Sequence, residues 1–111
     1  MGCVIKKVKA VAKVIDEVHH LNKKQGGGLI KIEIWVDENY GTARYSMTYI
    51  NHAIYAGDNG RVLGYDNAHG KHHRHYFGDY QLVRNFKGHE KLLEKFSQEW
   101  RRIADEHYGK N

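Results

Sequence analysis

Residues 4–24, VIKKVKAVAKVIDEVHHLNKK, decide how this chain is built, because they can be read two ways. Val4, Val8, Val11, Ile15, Val18 and Leu21 recur at alternating steps of four and three, the spacing that lines one stripe of an α-helix. Lys6, Lys7, Lys9, Lys13, Lys23 and Lys24 decorate much of the remaining surface. The abundance of β-branched residues argues the other way and leaves strand as the alternative for part of the stretch. The periodicity predicts an amphipathic helix over residues 4–24 with a solvated lysine face. Gln25-Gly26-Gly27-Gly28 then stops it. That glycine run lacks the GK[ST] tail and the strand-before, helix-after setting of a phosphate loop, so it reads as a flexible connector.

Beyond the glycines, Leu29 to Val36 alternates, with Ile30, Ile32, Ile34 and Val36 on one face and Lys31, Glu33 and Trp35 on the other, as a half-buried strand does. The polar segment 37–41 turns the chain into a second strand, where Ala43, Tyr45, Met47 and Tyr49 share a face. Gly57-Asp58-Asn59-Gly60 is the strongest turn signal, since Asn-Gly tolerates positive φ. A third strand over 61–66, a turn at 67–71 and a fourth strand over 72–77 follow, and residues 79–84 extend that edge. Leu92, Leu93, Phe96, Trp100 and Ile103 recur at helical spacing and predict a helix over 89–107, with Gly88 as N-cap and Gly109 as its stop. The fold expected is α+β: a three- or four-stranded antiparallel sheet within residues 29–84, with an N-terminal and a C-terminal helix packed on one face.

Composition bounds the function. A chain of 111 residues makes one domain, 1–111, and has no room for a second. The 41% hydrophobic and 28% charged content is that of a globular protein, not a disordered one. No apolar stretch approaches the roughly 20 residues that span a bilayer, so no membrane partner is expected. The opening MGCVIKK lacks a signal-peptide core, and Lys6 stands where a myristoylation motif needs Ser or Thr. A single cysteine, Cys3, excludes an internal disulfide, fits a cytoplasmic location and reads as inert. No cofactor is implied. The excess of 18 Lys and Arg over 13 Asp and Glu, a formal charge of +5, with basic residues interleaved among aromatics, fits nucleic acid better than a small metabolite.

The chemistry concentrates in residues 64–78, GYDNAHGKHHRHYFG, which hold four of the nine histidines. On a strand, His73, His75 and Phe77 share one face while His72, Arg74 and Tyr76 share the other. Cleaving RNA without a metal needs a base for the 2′-hydroxyl, an acid for the leaving oxygen and a cation for the phosphorane. His73 and His75 are the acid/base candidates, Arg74 and Arg61 the phosphate contacts, and Tyr65 and Asp66 the groups that orient the site. Lys71, His72 and Tyr76 complete the nucleic-acid-binding set, with Tyr76 offering a ring on which a base can stack. His73 and His75 at i and i+2 could also reach one metal ion, with His69 or Asp66 as third ligand, so a metal-dependent hydrolase is an alternative. A further alternative is a non-catalytic module whose basic face binds nucleic acid or an acidic protein. For any single histidine a surface role is the simpler reading; four beside Lys71 and Arg74 repel one another when protonated, which an anion or metal would relieve.

The block Gly60 to Gly70, followed by His72-His73-Arg74-His75, Phe86 and Leu92-Leu93-Glu94-Lys95-Phe96, resembles the TumE-like toxin family of prokaryotic toxin-antitoxin modules. Tyr65, Asp66, Asn67, Gly70, His72, His73, Arg74 and His75 carry the resemblance. The N-terminal third departs from it, since the family often enters its first strand almost at once. The resemblance implies a small cytoplasmic toxin with a cognate antitoxin protein as partner. RNA as a further partner, with endoribonuclease activity, follows from the general habit of small basic α+β toxins. A homodimer is left open.

Overall fold

In the computed structural model, which describes residues 10–108, six strands run in chain order across one antiparallel sheet: β1 Ala12–His20, β2 Leu29–Val36, β3 Thr42–Ile50, β4 Arg61–Asp66, β5 His73–Tyr76 and β6 Asp79–Leu82. Among the described residues a single α-helix, α1 His89–Tyr108, lies on one face. The expectation of three or four strands between two helices is therefore corrected twice: the segment read as an N-terminal helix is a strand from Ala12, and the edge beyond β5 is a sixth strand. The inert Cys3, the first residues of the expected helix and Gly109 as a helix stop lie outside the described residues.

The sequence around β1 explains the first correction. Ala12 pairs with Val36 and Ile15 with Ile34, so both point to the helix side although they are three apart. The register shifts between Lys13 and Ile15, because Val14 is an extra residue in a β-bulge. A bulge turns the strand period of two into a local step of three, which is the step a helical stripe also shows. Beyond it, Val18 falls on the solvent side, and Val11, Val14 and Val18 are each about half exposed. The stripe that would have driven a helix into the core is thus not buried. Instead the β-branched residues take extended backbone and pair the outer edge of β2.

The core lies between the sheet and α1. Ile30, Ile32 and Ile34 stand opposite Tyr49, Met47 and Tyr45, and Tyr49 and Met47 stand opposite Leu63 and Tyr65. Onto this wall α1 lowers Leu92, Phe96, Ile103 and Ala104, spaced so that one helix stripe meets it. Leu92, Phe96 and Ile103 each contribute about 1.5–3 kcal/mol through burial. The helix start is held by β3, since Thr42 Oγ1 accepts from the His89 amide at 3.1 Å. Its end is held by the buried Asn51, whose Nδ2 donates to Gly26 O at 3.1 Å and to the Tyr108 hydroxyl at 3.2 Å. The glycine run is a packed turn: Gly26, Gly27 and Gly28 all have positive φ, and a Cβ on Gly26 would lie 2.4 Å from the Tyr108 ring.

The second correction comes from Phe77-Gly78, with φ of 48° and 84°, a two-residue hairpin turn that reverses the chain into β6. No helix among the described residues is long and apolar enough to cross a membrane.

Candidate functional site

The motif Tyr65-Asp66-Asn67 sends three consecutive side chains in three directions. Tyr65 points to the helix side, where it is fully buried and stands opposite Arg74 across the β4–β5 ladder. Asp66 points to the other side, opposite His73. Asn67 leaves the strand and continues the β3 ladder beyond the last β4 pairing, accepting from the Tyr45 amide at 2.9 Å and donating to Ala43 O at 3.1 Å. Strand alternation alone makes this division.

On the face away from α1, Asp66 joins two histidines. Its Oδ2 lies 3.1 Å from His75 Nε2 and its Oδ1 lies 3.7 Å from His73 Nδ1, while Oδ1 also accepts from the Ala68 amide at 3.0 Å. Arg61 reaches in from the start of β4, and its Nη2 lies 3.2 Å from His75 Nδ1. A guanidinium can only donate, so His75 Nδ1 accepts and the ring carries its proton on Nε2, toward Asp66. Asp58 anchors Arg61 at Nε, 2.8 Å away. Gly64, opposite His75, makes room for this arrangement: a Cβ there would lie 2.8 Å from Arg61 Cδ.

Tyr80 closes the site from β6. It pairs with His75 in register, and its ring centre lies 4.5 Å from that of His73 and 5.3 Å from that of His75. It is 58% exposed, while His73 beneath it is 6% exposed. The His73 and His75 rings are 6.5 Å apart. No hydrogen bond occupies either nitrogen of His73, whose Nδ1 faces Asp66 Oδ1 at 3.7 Å.

The remaining residues singled out in the sequence lie elsewhere. Arg74 and Tyr65 belong to a network under the helix: Arg74 Nη2 meets Glu99 Oε2 at 2.6 Å, Arg74 Nε donates to the Tyr65 hydroxyl at 3.0 Å, and that hydroxyl donates to Glu99 Oε1. Burial, reinforced by Glu99, pushes the Tyr65 phenol far above its usual range, which keeps its proton in place. Burial pulls the Arg74 guanidinium down, and the Glu99 carboxylate outweighs it, for a net rise. Tyr76 is also on the helix side, with Arg74 over its ring at 4.5 Å. His72 lies flat on Phe86 at 4.0 Å and bonds the Tyr45 hydroxyl through Nδ1 at 2.8 Å. Burial, and then the charge of His73, lower its pKa. Lys71 and His69 are exposed on the turn. Among the described residues no three His, Cys, Asp or Glu side chains are placed to hold a metal ion, so His69 does not join His73 and His75 as a ligand set.

The structure therefore gathers His73, His75, Asp66 and Arg61 on one face and places Arg74, Tyr65, Tyr76 and His72 on the other. It adds Asp58, Tyr80 and Glu99. Asp58 sits in the turn already marked by Asn-Gly; Tyr80 lies on a strand with no turn signal before it; Glu99 shows as a helix acid with nothing to reveal its partner.

A family model described as Toxin TumE matches residues 9–105. No curated protein and no solved structure matches the chain.

Proposed function

The chain belongs to the TumE toxin family and is the toxin of a toxin-antitoxin module, with an antitoxin as its partner; from that premise we propose that it acts on RNA as a metal-independent endoribonuclease through His73, His75, Asp66 and Arg61. The observation that carries this reading is the pair of histidines facing the two oxygens of one carboxylate, on the face of the sheet away from α1, with an arginine against one of them.

The roles follow from the hydrogen bonds. His73, with Asp66 behind Nδ1, presents Nε2 as the base that takes the 2′-hydroxyl proton; its 3.7 Å spacing from Asp66 shortens as the ring gains charge. The freed O2′ attacks phosphorus, and the P–O5′ bond breaks, leaving a 2′,3′-cyclic phosphate. His75 in its protonated form supplies the proton to the departing O5′, and Asp66 stabilises that imidazolium. Protonation of Nδ1 removes the acceptor that Arg61 uses in the resting state. Arg61, still tethered by Asp58, is thereby released toward the non-bridging phosphate oxygens, where charge develops. Tyr80 offers its exposed ring to a base next to the scissile bond. Arg74 and Tyr65 fasten the helix that supports the sheet.

Purified protein is expected to degrade RNA in EDTA, and the His73→Ala/His75→Ala variant to lose about 10²–10⁴-fold in rate. Unimpaired cleavage by that variant sinks the assignment. A binding-only role is the second reading, favoured by the fact that Arg61 and Asp66 occupy both nitrogens of His75. Salt-sensitive binding with RNA left intact after long incubation selects it.

A further inference from the structure

Three lysines that no carboxylate neutralises line one notch on the helix side of the molecule. Lys87, Lys91 and Lys95 stand four residues apart around a cavity of about 110 Å³, with Asn85 on its rim and Phe86 and Leu92 beneath. All three lysines are exposed, and none forms an ion pair among the described residues. Lys91 and Lys95 stand at i and i+4 on α1, where like charges repel, and Lys87 approaches from the segment before the helix. The acids of the same helix are turned elsewhere. Glu90 and Glu94 line a separate depression with Arg101, and Glu99 is committed to Arg74 and Tyr65.

The notch offers ammonium groups and no arginine fork. Ammonium groups act as point charges that converge on a tetrahedral anion from several directions. The volume, equal to that of three or four waters at roughly 30 Å³ each, suits one phosphate group rather than a nucleobase stack. The notch also has a fixed relation to the histidine site. His72 lies flat on Phe86 in its floor, and the next residue, His73, faces the opposite side of β5. Notch and site sit back to back across one strand, and β6, four residues long and exposed throughout, is the edge between them.

We propose that Lys87, Lys91 and Lys95 hold a backbone phosphate of single-stranded RNA, outside the nucleotides at which His73 and His75 act, with the strand passing around β6. This rests on the reading that the chain acts on RNA, and makes the lysine notch a second contact that short substrates cannot reach.

The test uses a fluorescein-labelled 12-nucleotide 2′-O-methyl RNA, which binds but lacks the hydroxyl needed for cleavage, titrated at several salt concentrations against the intact chain. Lys91→Gln/Lys95→Gln is compared with Lys23→Gln/Lys24→Gln, which removes the same charge at the β1–β2 turn, near the far end of α1. The first pair is expected to weaken binding roughly 5-fold at 0.1 M salt and to flatten the plot of log K against log salt by about 0.7, the slope of one phosphate contact; the second pair leaves both at the wild-type values. Equal losses in the two variants mean diffuse attraction and overturn the notch, as does no loss in either. Intact RNA affinity with lost antitoxin binding assigns the notch to an acidic protein and also overturns it. Cleavage by the wild type that depends on His73 and His75, together with inert lysines, removes the notch alone; a wild type that neither binds nor cleaves RNA removes the function as well.

Discussion

Replacing Glu99 by alanine tests whether the helix is fastened to the sheet by charge. Glu99 and Arg74 retain only 11% and 17% side-chain exposure, so the substitution strands a guanidinium in a mostly dry site. Removing one member of a buried pair typically costs about 3–5 kcal/mol. Here Arg74 keeps the Tyr65 hydroxyl at 3.0 Å, the Gln81 Oε1 at 3.4 Å and the Tyr76 ring, and some water. Those softening contacts bring the expected loss to about 2–3 kcal/mol. At about 4 °C per kcal/mol for a chain of this size, the melting temperature falls by about 8–12 °C. The triple variant Tyr65→Phe/Arg74→Met/Glu99→Leu removes every polar group of the network and fills similar volume, so it recovers most of the loss. Urea unfolding followed by circular dichroism at 25 °C reads both quantities. A cost below about 0.5 kcal/mol for Glu99→Ala, or a triple variant no better than the single one, refutes the reasoning. Under the proposed function the folded triple variant is also expected to cleave RNA as the wild type does, because all three groups lie beneath α1; loss of cleavage with stability restored would return Arg74 to the site.

Stability should also depend on pH through His72, whose pKa is held down by burial and then by His73. Below the ordinary histidine value of about 6.5, the unfolded chain takes up a proton that native His72 refuses, so stability falls as pH drops, until native His72 protonates as well. Urea midpoints between pH 7.5 and 5.0 should therefore converge for wild type and His72→Asn on a shallower slope for the variant; identical slopes discard the linkage. Asn51→Ala removes the donor to Gly26 O and the Tyr108 hydroxyl and the acceptor for the Ala53 amide, at a cost of about 2–3 kcal/mol. Amide exchange should quicken around residues 26–28 in that variant, and a loss under about 0.5 kcal/mol would show that the turn stands without it.

Much of this molecule was legible because its signals were local. β2 and β3 alternate cleanly, Asn59-Gly60 marks the turn into β4, and Leu92, Phe96 and Ile103 announce α1. The two faces of β5 also separated correctly by alternation, with His73 and His75 opposite Arg74. Which face met the helix did not show, since β5 is polar on both sides and hydrophobicity could not choose between them. The choice is made by Glu99, twenty-five residues away, through an ion pair that leaves no periodic trace. β1 was misread because Val11, Ile15 and Val18 stand at helical spacing while the strand places Ile15 and Val18 on opposite faces, and β6 because Phe77-Gly78 takes positive φ without the usual Asn-Gly signature. Tyr80 went unnoticed with it.

A sheet whose strands pair in chain order sets a timetable as well as a shape. Every strand from β2 to β6 finds its partner in the segment just before it, so pairing advances in the direction of synthesis with short loops to close. The aromatic wall of Tyr45, Tyr49 and Tyr65 has no cover until α1, the last element described, arrives with Phe96 and Glu99. A nascent chain therefore carries its histidine cluster in a sheet that is not locked until α1 has been made and has docked. The covering helix, not the sheet, is the step that fixes the cluster's support.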